Sequence, residues 1–451
     1  MASTIPIFIS AGEASGDMYG ALLIQALRER LGEVHFYGCG GAKMKAAGCE
    51  TLVEAHQITM VGLAEVLPGL PRVWKAFRLL RGTLRKRRPA LAVLIDFPDF
   101  NLRLAKRFKR AGVPVLYFVA PQVWAWRRGR LALLREFVDR LLCIFPFEEK
   151  FFQKAGVAAE FVGHPLAGRV APAMTAPEFR NRWGIPEKPP LIALLPGSRR
   201  KEISLNLPPL LEMVRSMSQQ GEHCFVLPAA ATVAGDLLRA RVENSGLPIV
   251  VVEDCTYDAV AHASVAVVAS GTATIETALL GTPMVVVYKV TPATWWLGRK
   301  LVQTPFYSMV NLVADEPIVP ELIQDRFQPE LVASHVRRLL EDPAARDRMR
   351  LAFRQVAARL NPPNRVGVAP LSPIPASKPL TVAGVAVTSV AAPSVAVPGD
   401  FPDRVVRKES ADAIQRFVAV TESMLQGRGL QETRPQGRDA PGASPEAGGS
   451  V

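Results

Sequence analysis

Short, uninterrupted apolar segments that alternate with helical patterns constrain the fold of this chain most. In the first part of the chain these segments are IPIFIS, VHFYGCG, LAVLIDF, VPVLYFVA and LLCIFPF, and MYGALLIQALRER after the first of them is typical of an amphipathic helix. The pattern begins again after a Pro- and Ala-rich stretch at 165–177, with LIALLPGS, HCFVLPAA, PIVVVED, VAVVASG and PMVVVYKV. Strands that are apolar on both faces and separated by helices indicate buried parallel sheets. The sequence therefore predicts an α/β protein with two doubly wound domains and a cleft facing the carboxyl ends of both sheets.

The composition divides the chain into five segments. We expect a first domain over residues 1–168 and a second over 169–360, because each contains one set of strand and helix patterns. Residues 361–407 have the low complexity of a linker, and 408–426 contain a final helical pattern, SADAIQRFVAVTESMLQ. The tail, 427–451, is rich in Gly, Pro, Arg and Glu and is expected to be disordered.

The net charge indicates what kinds of partner to expect, and the cysteine usage indicates the compartment. The formal net charge of +13 attracts an anionic partner, which the charge alone leaves open among nucleic acid, an acidic membrane and a phosphorylated ligand. The five cysteines form no CxxC pair and the six histidines lack metal-ligand spacing, so we expect a reducing cytoplasm and no metal site. The start, MASTIPIF, lacks the basic and apolar regions of a signal peptide, and the uncharged stretch at 379–399 contains too much proline for a membrane span.

The loop SAGEASGD follows the first predicted strand and begins a helix. Its glycines bring backbone N–H groups close to a ligand, and the helix N-terminus adds partial positive charge. The spacing of Gly12 and Gly16 matches neither the dinucleotide fingerprint nor a P-loop, and Glu13 would repel a phosphate. Two interpretations remain open: a loop whose Glu13 contacts sugar hydroxyls, or an ordinary helix start capped by Ser15 or Asp17.

Two strand ends in the second half are stronger candidates for an anion site. LLPGSRRKEI, at 194–203, places a Pro-Gly-Ser turn beside a run of cations, which suits a diphosphate. VVASGTATIETALLGTPMVVVY, at 267–288, places a Ser-Gly-Thr turn at a helix N-terminus, and Glu276 one turn later suits ribose hydroxyls. Ordinary strand–helix junctions are the alternative for both. The candidate anion-binding residues are Gly197, Ser198, Arg199, Gly271 and Thr272.

Two further segments carry candidate side chains at the cleft. Asp96, in LIDFPDFN, ends a strand and is a candidate general base or a hydrogen-bonded turn former. Pro98 argues against a helix that starts at once, and we interpret Asp99 as a cap. Trp124 and Trp126, in YFVAPQVWAWRRGRL, would stack on a sugar, touch lipid or pack in the interior.

A long segment at 59–89 runs from apolar residues into a basic helix. Such a segment suits an anionic membrane surface or an acylated ligand, with a solvated helix as the alternative. The stretch at 291–313 is a second aromatic and basic region with the same alternatives.

Taken together, these segments resemble the lipid-A-disaccharide synthases, which are glycosyltransferases of the GT-B type. The matching blocks are SAGEASGD, IDFPDFN, YFVAPQVWAWR, FPFEEKFF, VGHPL, LLPGSRRKEI, ASGTATIETALLGTPMVVVYKV and NLVADEPIVPELIQ, in family order over about residues 5–360. The resemblance implies two Rossmann-like domains that face a central cleft and a C-terminal helix that returns to the first domain.

The resemblance also implies a reaction. UDP-2,3-diacylglucosamine would donate its sugar to the 6-hydroxyl of 2,3-diacylglucosamine 1-phosphate (lipid X), giving the β-1,6-linked lipid A disaccharide 1-phosphate and UDP with inversion. It implies no metal or other cofactor, and a cytoplasmic protein held peripherally on the anionic inner face of the cytoplasmic membrane.

Residue roles follow from the same resemblance. Asp96 matches the family's proposed base, and Glu13 would place a sugar or assist that base. Arg199, Gly271 and Thr272 would stabilise the leaving diphosphate, Glu276 would bind the ribose, and Asn311, in NLVADE, would contribute to donor binding. The candidate acceptor or lipid contacts are Gly12, Ser15, Trp124, Trp126, Val66, Leu67 and Leu70.

The C-terminal region departs from the family pattern. The insert at 361–407 leaves the register of the final helix open, and exchange of C-terminal segments between two subunits would give a homodimer. Two other functions also remain open at this point. One is another UDP-sugar enzyme of this architecture, such as a UDP-N-acetylglucosamine 2-epimerase, and the other is a non-catalytic nucleotide-binding protein. No nucleic-acid motif is present, so nucleic acid is not expected as a partner.

Overall fold

The architecture was obtained as a computed structural model. The structure describes residues 4–58, 63–125, 128–229, 235–292, 294–296, 304–361 and 413–426, with only the backbone of 63–70 and 235–237. The predicted tail and the predicted linker from residue 362 onward lie outside the described residues.

Within the described residues, the first part of the chain forms a parallel sheet of seven strands. They are β1 (Ile5–Ala11), β2 (Val34–Gly40), β3 (Glu50–Glu54), β4 (Leu91–Ile95), β5 (Val115–Phe118), β6 (Arg140–Cys143) and β7 (Ala159–Phe161). The order is β3-β2-β1-β4-β5-β6-β7, so the direction of winding reverses between β1 and β4. The loops after two such strands diverge and leave a crevice at the carboxyl edge of the sheet. SAGEASGD follows β1 and IDFPDFN follows β4, which places both segments at this crevice.

Helices bury both faces of this sheet. They are α1 (Ala14–Leu31), α2 (Ala42–Ala46), α3 (Leu63–Arg87), α4 (Pro98–Arg110), α5 (Arg130–Phe137) and α6 (Pro146–Lys154), with a 3₁₀ turn at Ala55–Gln57. Along β1, Ile7 and Ile9 lie in one buried apolar cluster and Phe8 lies in another. The strands are apolar on both faces for this reason, as the sequence pattern predicts.

The start of α4 differs from the prediction. The helix begins at Pro98 itself, because the first position of a helix needs no N–H donor and the fixed φ of proline suits it. Phe97 is the residue that precedes the helix, and Asp99 lies in the first turn, where it is ion-paired with Arg130. The prediction that Asp99 is the cap was therefore wrong.

The second part of the described chain forms a parallel sheet of six strands. They are β8 (Leu191–Leu195), β9 (Cys224–Ala229), β10 (Ile249–Glu253), β11 (Val265–Ala269), β12 (Met284–Tyr288) and β13 (Glu321–Ile323). The order is β10-β9-β8-β11-β12-β13, and the reversal falls between β8 and β11. The PGSR segment follows β8 and the SGT segment follows β11, so both anion-site candidates lie at this second crevice. The proposed domain boundary between residues 168 and 169 falls in the connection between β7 and β8.

The described helices of the second part come before, between and after these strands. They are α7 (Ala176–Trp183), α8 (Arg200–Ser218), α9 (Gly235–Glu243), α10 (Thr256–Ala261), α11 (Thr272–Leu279), α12 (Met309–Ala314), α13 (Pro329–Glu341) and α14 (Pro343–Leu360), with a 3₁₀ turn at Gln324–Arg326. No helix among the described residues combines the length and the apolar character needed to cross a membrane.

The last described helix, α15 (Ala413–Gln426), packs on the first domain. The rings of Phe417 and Phe118 are 5.2 Å apart between centroids, and Glu422 pairs with Arg30 of α1 at 2.8 Å. Arg416 donates to the carbonyl of Val162 at 3.3 Å. The C-terminal helix therefore returns to the first domain, as the family resemblance implies.

Candidate active site

The carboxyl edges of the two sheets face each other, and among the described residues an ion pair joins them. Arg199, at the start of α8, donates through Nη2 to Oε2 of Glu13, at the start of α1, over 2.6 Å. The residues predicted separately on the two domains therefore meet in one cleft.

The turn after β4 has an uncommon backbone. Asp96 and Phe97 both have positive φ, at +46° and +51°, a region that bulky residues rarely occupy. The carbonyl of Asp96 accepts hydrogen bonds from the Tyr117 hydroxyl at 2.6 Å and from Asn101 Nδ2 at 2.8 Å. These two buried side chains hold the strained turn in place, which is typical of a functional site.

Asn101 also connects this turn to β1. Its Nδ2 donates to the carbonyls of Ser10 at 3.3 Å and Ile95 at 3.1 Å, and its Oδ1 accepts from the Ser10 hydroxyl at 2.8 Å. Asn101 is fully buried. The asparagine of IDFPDFN therefore positions the loops after β1 and β4 relative to each other, a role that sequence reasoning missed.

Gly12 contributes space for a neighbouring aromatic ring. A Cβ atom at this position would lie 2.2 Å from Cγ of Phe97, so only glycine lets the Phe97 ring pack against the loop. Gly12 is buried behind this ring, and its assignment as an acceptor or lipid contact stays a prediction.

The Asp96 carboxyl is the main candidate for proton transfer. Burial and, to a smaller extent, the nearby Glu13 carboxylate raise the pKa of Asp96 to about 7, although the Phe97 N–H, Arg199 and Arg130 lower it. A carboxyl group with this pKa changes its protonation state near neutral pH, as a general base must.

The other polar residues of the first loop have different roles: Asp17 supports local structure, and Glu13 and Ser15 lie at the start of α1. The Asp17 carboxylate accepts hydrogen bonds from the backbone N–H groups of Gly41 at 2.7 Å and of Lys43 and Met44 at 3.0 Å each. It therefore caps α2 and not its own helix, which corrects that alternative. Ser15 lies half-buried in the first turn of α1, and Glu13 is the residue that precedes the helix.

The backbone of the PGSR loop after β8 binds a carboxylate of the protein, whereas the sequence predicts a diphosphate. Glu202, in the first turn of α8, accepts hydrogen bonds through Oε2 from the backbone N–H groups of Ser198 at 3.1 Å and Arg199 at 3.2 Å. Its Oε1 accepts from Arg199 Nη1 at 3.0 Å. The amides that the sequence assigned to a diphosphate are therefore bound to a carboxylate of the same chain, and the guanidinium of Arg199 is the group that reaches into the cleft.

The turn after β11 is open. Gly271 has a φ of +154°, and no described atom lies within 4 Å of the position that its Cβ would occupy. Thr272 begins α11 and is exposed. One turn later, Glu276 accepts from the Tyr257 hydroxyl at 3.1 Å, and burial raises its pKa. This helix N-terminus can therefore accommodate an anion, with a carboxylate beside it.

Asn311 is committed to internal contacts. Its Nδ2 donates to the Val319 carbonyl at 3.0 Å and to Glu321 Oε1 at 2.8 Å, and its Oδ1 accepts from Val319 N–H at 3.0 Å. Glu321 in turn accepts from Ser308 N–H and from the Tyr307 N–H. Asn311 therefore holds the 307–321 segment together, and its contribution to donor binding stays a prediction.

Comparison with known proteins assigns the family. The family model described as lipid-A-disaccharide synthetase matches residues 7–364. The chain belongs to this family. The lipid-A-disaccharide synthase of Solibacter usitatus is 46% identical over 80% of this chain and 96% of its own length, and that of Myxococcus xanthus is 43% identical over 78% and 93%.

Solved structures add the fold. The S. aureus MnaA–UDP co-structure matches with a TM-score of 0.53 and 12% identity, covering 77% of this chain and 91% of its own. A glycosyltransferase from Rickettsia africae matches with a TM-score of 0.50 and 10% identity over 79% and 94%. At these identities the likeness concerns the fold alone, and together with the two parallel sheets it confirms the predicted GT-B architecture.

Trp124, a candidate acceptor or lipid contact, lies in the interior of the first domain. Trp124 is 9% exposed, donates through Nε1 to Oε1 of Glu148 at 3.1 Å, and packs edge-on against Phe147. These contacts favour the interior packing that the sequence also left open, and the assignment of Trp124 as an acceptor or lipid contact stays a prediction. Trp126 lies outside the described residues, as do the side chains of Val66, Leu67 and Leu70 on α3.

Trp124→Phe is expected to destabilise the fold without weakening acceptor binding. The change removes the indole donor from Glu148, a buried carboxyl whose pKa burial raises to about 8. Loss of one hydrogen bond to a buried polar group costs about 1–3 kcal/mol. Chemical denaturation measures the loss of stability. If the variant instead has unchanged stability and an acceptor KM that rises several-fold, Trp124 contacts the acceptor.

Proposed function

We propose that the protein transfers the sugar of UDP-2,3-diacylglucosamine to the 6-hydroxyl of 2,3-diacylglucosamine 1-phosphate. The acceptor oxygen attacks the anomeric carbon as the bond from that carbon to the diphosphate oxygen breaks. UDP leaves, the hydroxyl proton passes to a base, and the product is the β-1,6-linked lipid A disaccharide 1-phosphate. Membership of the lipid-A-disaccharide synthetase family over residues 7–364 is the observation that carries this proposal.

We assign the base to Asp96. Asp96 directly follows β4 at the cleft, and hydrogen bonds from Asn101 and Tyr117 hold its backbone. The pKa of its carboxyl is about 7. A fixed carboxylate of this basicity can accept the proton of the attacking hydroxyl at neutral pH. Glu13 lies close enough to raise that pKa, and we propose that it also orients a sugar hydroxyl with the help of Ser15 beside it.

We assign the leaving diphosphate to the second domain. Arg199 supplies a guanidinium in the cleft, and the open N-terminus of α11 at Gly271 and Thr272 supplies backbone N–H groups and a helix dipole. Gly197 and Ser198 shape the loop that carries Arg199. Glu276 is placed to accept hydrogen bonds from ribose hydroxyls, and Asn311 acts as a positioning residue for the 307–321 segment.

A single-turnover assay tests the proposed reaction. It combines the purified protein with both acylated sugars, detergent and EDTA, and follows the disaccharide 1-phosphate and UDP. Product formation supports the transferase. Conversion of UDP-N-acetylglucosamine to its 2-epimer in place of transfer would favour the epimerase, and UDP binding without turnover of either substrate would favour a binding protein.

The pH dependence of transfer is expected to depend on Asp96 and Glu13. Because the base must be ionised, kcat/KM should rise with pH and level off above an apparent pKa near 7. Glu13→Gln removes a carboxylate that raises the pKa of Asp96, so its limb should move to lower pH. Steady-state rates from pH 5 to about 9 measure both profiles, and identical limbs would remove Asp96 as the group that titrates.

We propose that α3 attaches the protein peripherally to an anionic inner-membrane surface. Trp74 and Leu79 are 60% and 52% exposed, and the Arg78 guanidinium lies 4.5 Å from the centroid of the Trp74 ring. The same helix carries further exposed cations, which are Lys75, Arg81, Arg85 and Lys86. Apolar side chains flanked by cations are the combination that binds anionic lipid.

The double change Trp74→Ser and Leu79→Ser is expected to weaken vesicle binding by about tenfold or more, since each apolar side chain contributes about 1.5–3 kcal/mol when buried. Sedimentation with phosphatidylglycerol-containing vesicles measures the binding. Leu351→Ser is the matched control, because Leu351 is also 52% exposed but lies on α14 of the second domain. Equal losses in both proteins would contradict the assignment to α3.

The C-terminal helix bears on the oligomeric state of the protein. We propose that a homodimer forms by exchange of α15 between subunits, because α15 packs on the first domain and follows an insert that departs from the family pattern. Light scattering after size-exclusion chromatography measures the mass, and a monomer at all concentrations would exclude the exchange.

A further inference from the structure

The guanidinium of Arg199 has two carboxylate partners, one from each domain. Nη1 donates to Oε1 of Glu202 on the same helix at 3.0 Å, and Nη2 donates to Oε2 of Glu13 across the cleft at 2.6 Å. The two partners differ in attachment, because Glu202 belongs to the same rigid element as Arg199 and Glu13 belongs to the other domain. The Glu202 side chain is 16% exposed, whereas that of Glu13 is 34% exposed.

Glu202 holds the main chain of the loop as well as the guanidinium. Its Oε2 accepts the N–H groups of Ser198 and Arg199, and the Tyr288 hydroxyl donates to its Oε1 at 3.4 Å. Gly197, with a φ of +119°, lies so close that a Cβ atom there would be 2.7 Å from Oε2. The loop is therefore built around this carboxylate, which leaves it little freedom to move away from Arg199.

We propose that Glu202 is a positioning residue that anchors one arm of Arg199, so that the arm now bound to Glu13 is the one presented to the donor's diphosphate. This inference rests on the proposed function. In the free enzyme Glu13 occupies the presented arm. A diphosphate has the same charge sign as Glu13 and suits the same donor atoms, so it replaces Glu13 there while Glu202 keeps its place.

The two carboxylates then have opposite effects on UDP binding. Glu202→Gln keeps an acceptor for the loop amides but loses the charge that fixes Arg199, so the affinity for UDP should fall about three- to tenfold. Glu13→Gln removes the group that competes for the presented arm, so the affinity for UDP should rise, by a factor of about two to five. Isothermal titration calorimetry with UDP alone measures both without the acylated sugars.

A double-mutant cycle separates positioning from folding. In an Arg199→Ala background, Glu202→Gln should cause no further loss of UDP affinity, because its effect passes through the absent guanidinium. Glu178→Gln is the matched control. Like Glu202, Glu178 lies in the first turn of a helix, α7, and its carboxylate accepts from the N–H of the residue that precedes the helix, Thr175, at 2.8 Å. The change should lower thermal stability without changing UDP affinity.

Each outcome bears on the inference. A fall for Glu202→Gln that persists unchanged in the Arg199→Ala background, or a fall of UDP affinity in Glu13→Gln, would overturn it. If Glu202→Gln does not fold, Glu202→Asp tests the same anchor, because aspartate keeps the charge on a shorter side chain. Wild-type UDP affinity in Glu202→Asp together with a lower UDP affinity in Glu13→Gln would overturn the inference. A wild-type protein that fails to bind UDP overturns the proposed function itself, whereas UDP binding unaffected by Glu202→Gln overturns only this inference.

Discussion

Asp96→Asn is expected to lower kcat for disaccharide formation by about 10³-fold, with UDP affinity changed by less than about twofold. The amide keeps the shape of the side chain but cannot accept the proton of the attacking hydroxyl. The hydrogen bonds that hold this turn, from Tyr117 and Asn101, end on the backbone carbonyl of Asp96 and are not altered by the change. Single-turnover rates and calorimetry with UDP measure the two quantities on the same preparation.

The stability of the same variant shows whether lost activity reflects lost folding. The pKa of Asp96 is about 7 in the folded protein and near 3.8 when unperturbed. Between these values the folded state binds more protons than the unfolded state, so stability falls as pH rises from about 4 to 7. Asparagine does not ionise, so the variant should be more stable than wild type at pH 8 by about 1–3 kcal/mol and equal to it near pH 4.

These two results together decide the role of Asp96. Full transferase activity in a folded Asp96→Asn protein would exclude it as the base. A variant that is inactive and also less stable at pH 8 would instead indicate that the carboxylate supports the turn.

Arg199→Ala is expected to lower kcat/KM by about 10²- to 10³-fold, because it removes the cation that we assign to the leaving diphosphate. A second consequence has a definite sign. Arg199 lowers the pKa of Asp96, so its removal should move the pH limb of kcat/KM above 7, opposite to the shift expected for Glu13→Gln. Steady-state kinetics with varied donor, repeated across pH, measure both effects.

Arg239→Ala is the matched control for this prediction. Arg239 lies on the second domain and forms an exposed ion pair with Glu253. Its removal should leave donor KM, kcat and the pH limb unchanged, since an exposed ion pair contributes little to stability. If Arg199→Ala behaves like this control, the diphosphate must be bound elsewhere, and the open N-terminus of α11 becomes the principal anion site.

The strand predictions succeeded where the segments are apolar on both faces and failed where they are short or polar. LAVLI and VAVVA are central strands, and their hydrophobic runs indicate burial without further information. The strands ETLVE, AEF and ELI were not predicted, because β3, β7 and β13 lie at sheet edges and need fewer apolar residues. The helix that begins at Pro98 was missed because a proline excludes only the interior of a helix.

The sequence alone determined which strand ends carry polar and glycine-rich turns, and parallel winding requires those turns to share one edge of each sheet. It could not determine which side chains form hydrogen bonds inside the protein and which face the cleft. Glu202 and Asp17 bind backbone amides, Asn311 and Trp124 bind interior partners, and Glu13 and Arg199 meet in the cleft beside Asp96. Hydrophobic pattern is a local property of the chain and can be read along it. A hydrogen bond between residues 186 positions apart, such as that from Arg199 to Glu13, depends on how two separately formed domains are set against each other, and only the tertiary structure decided it.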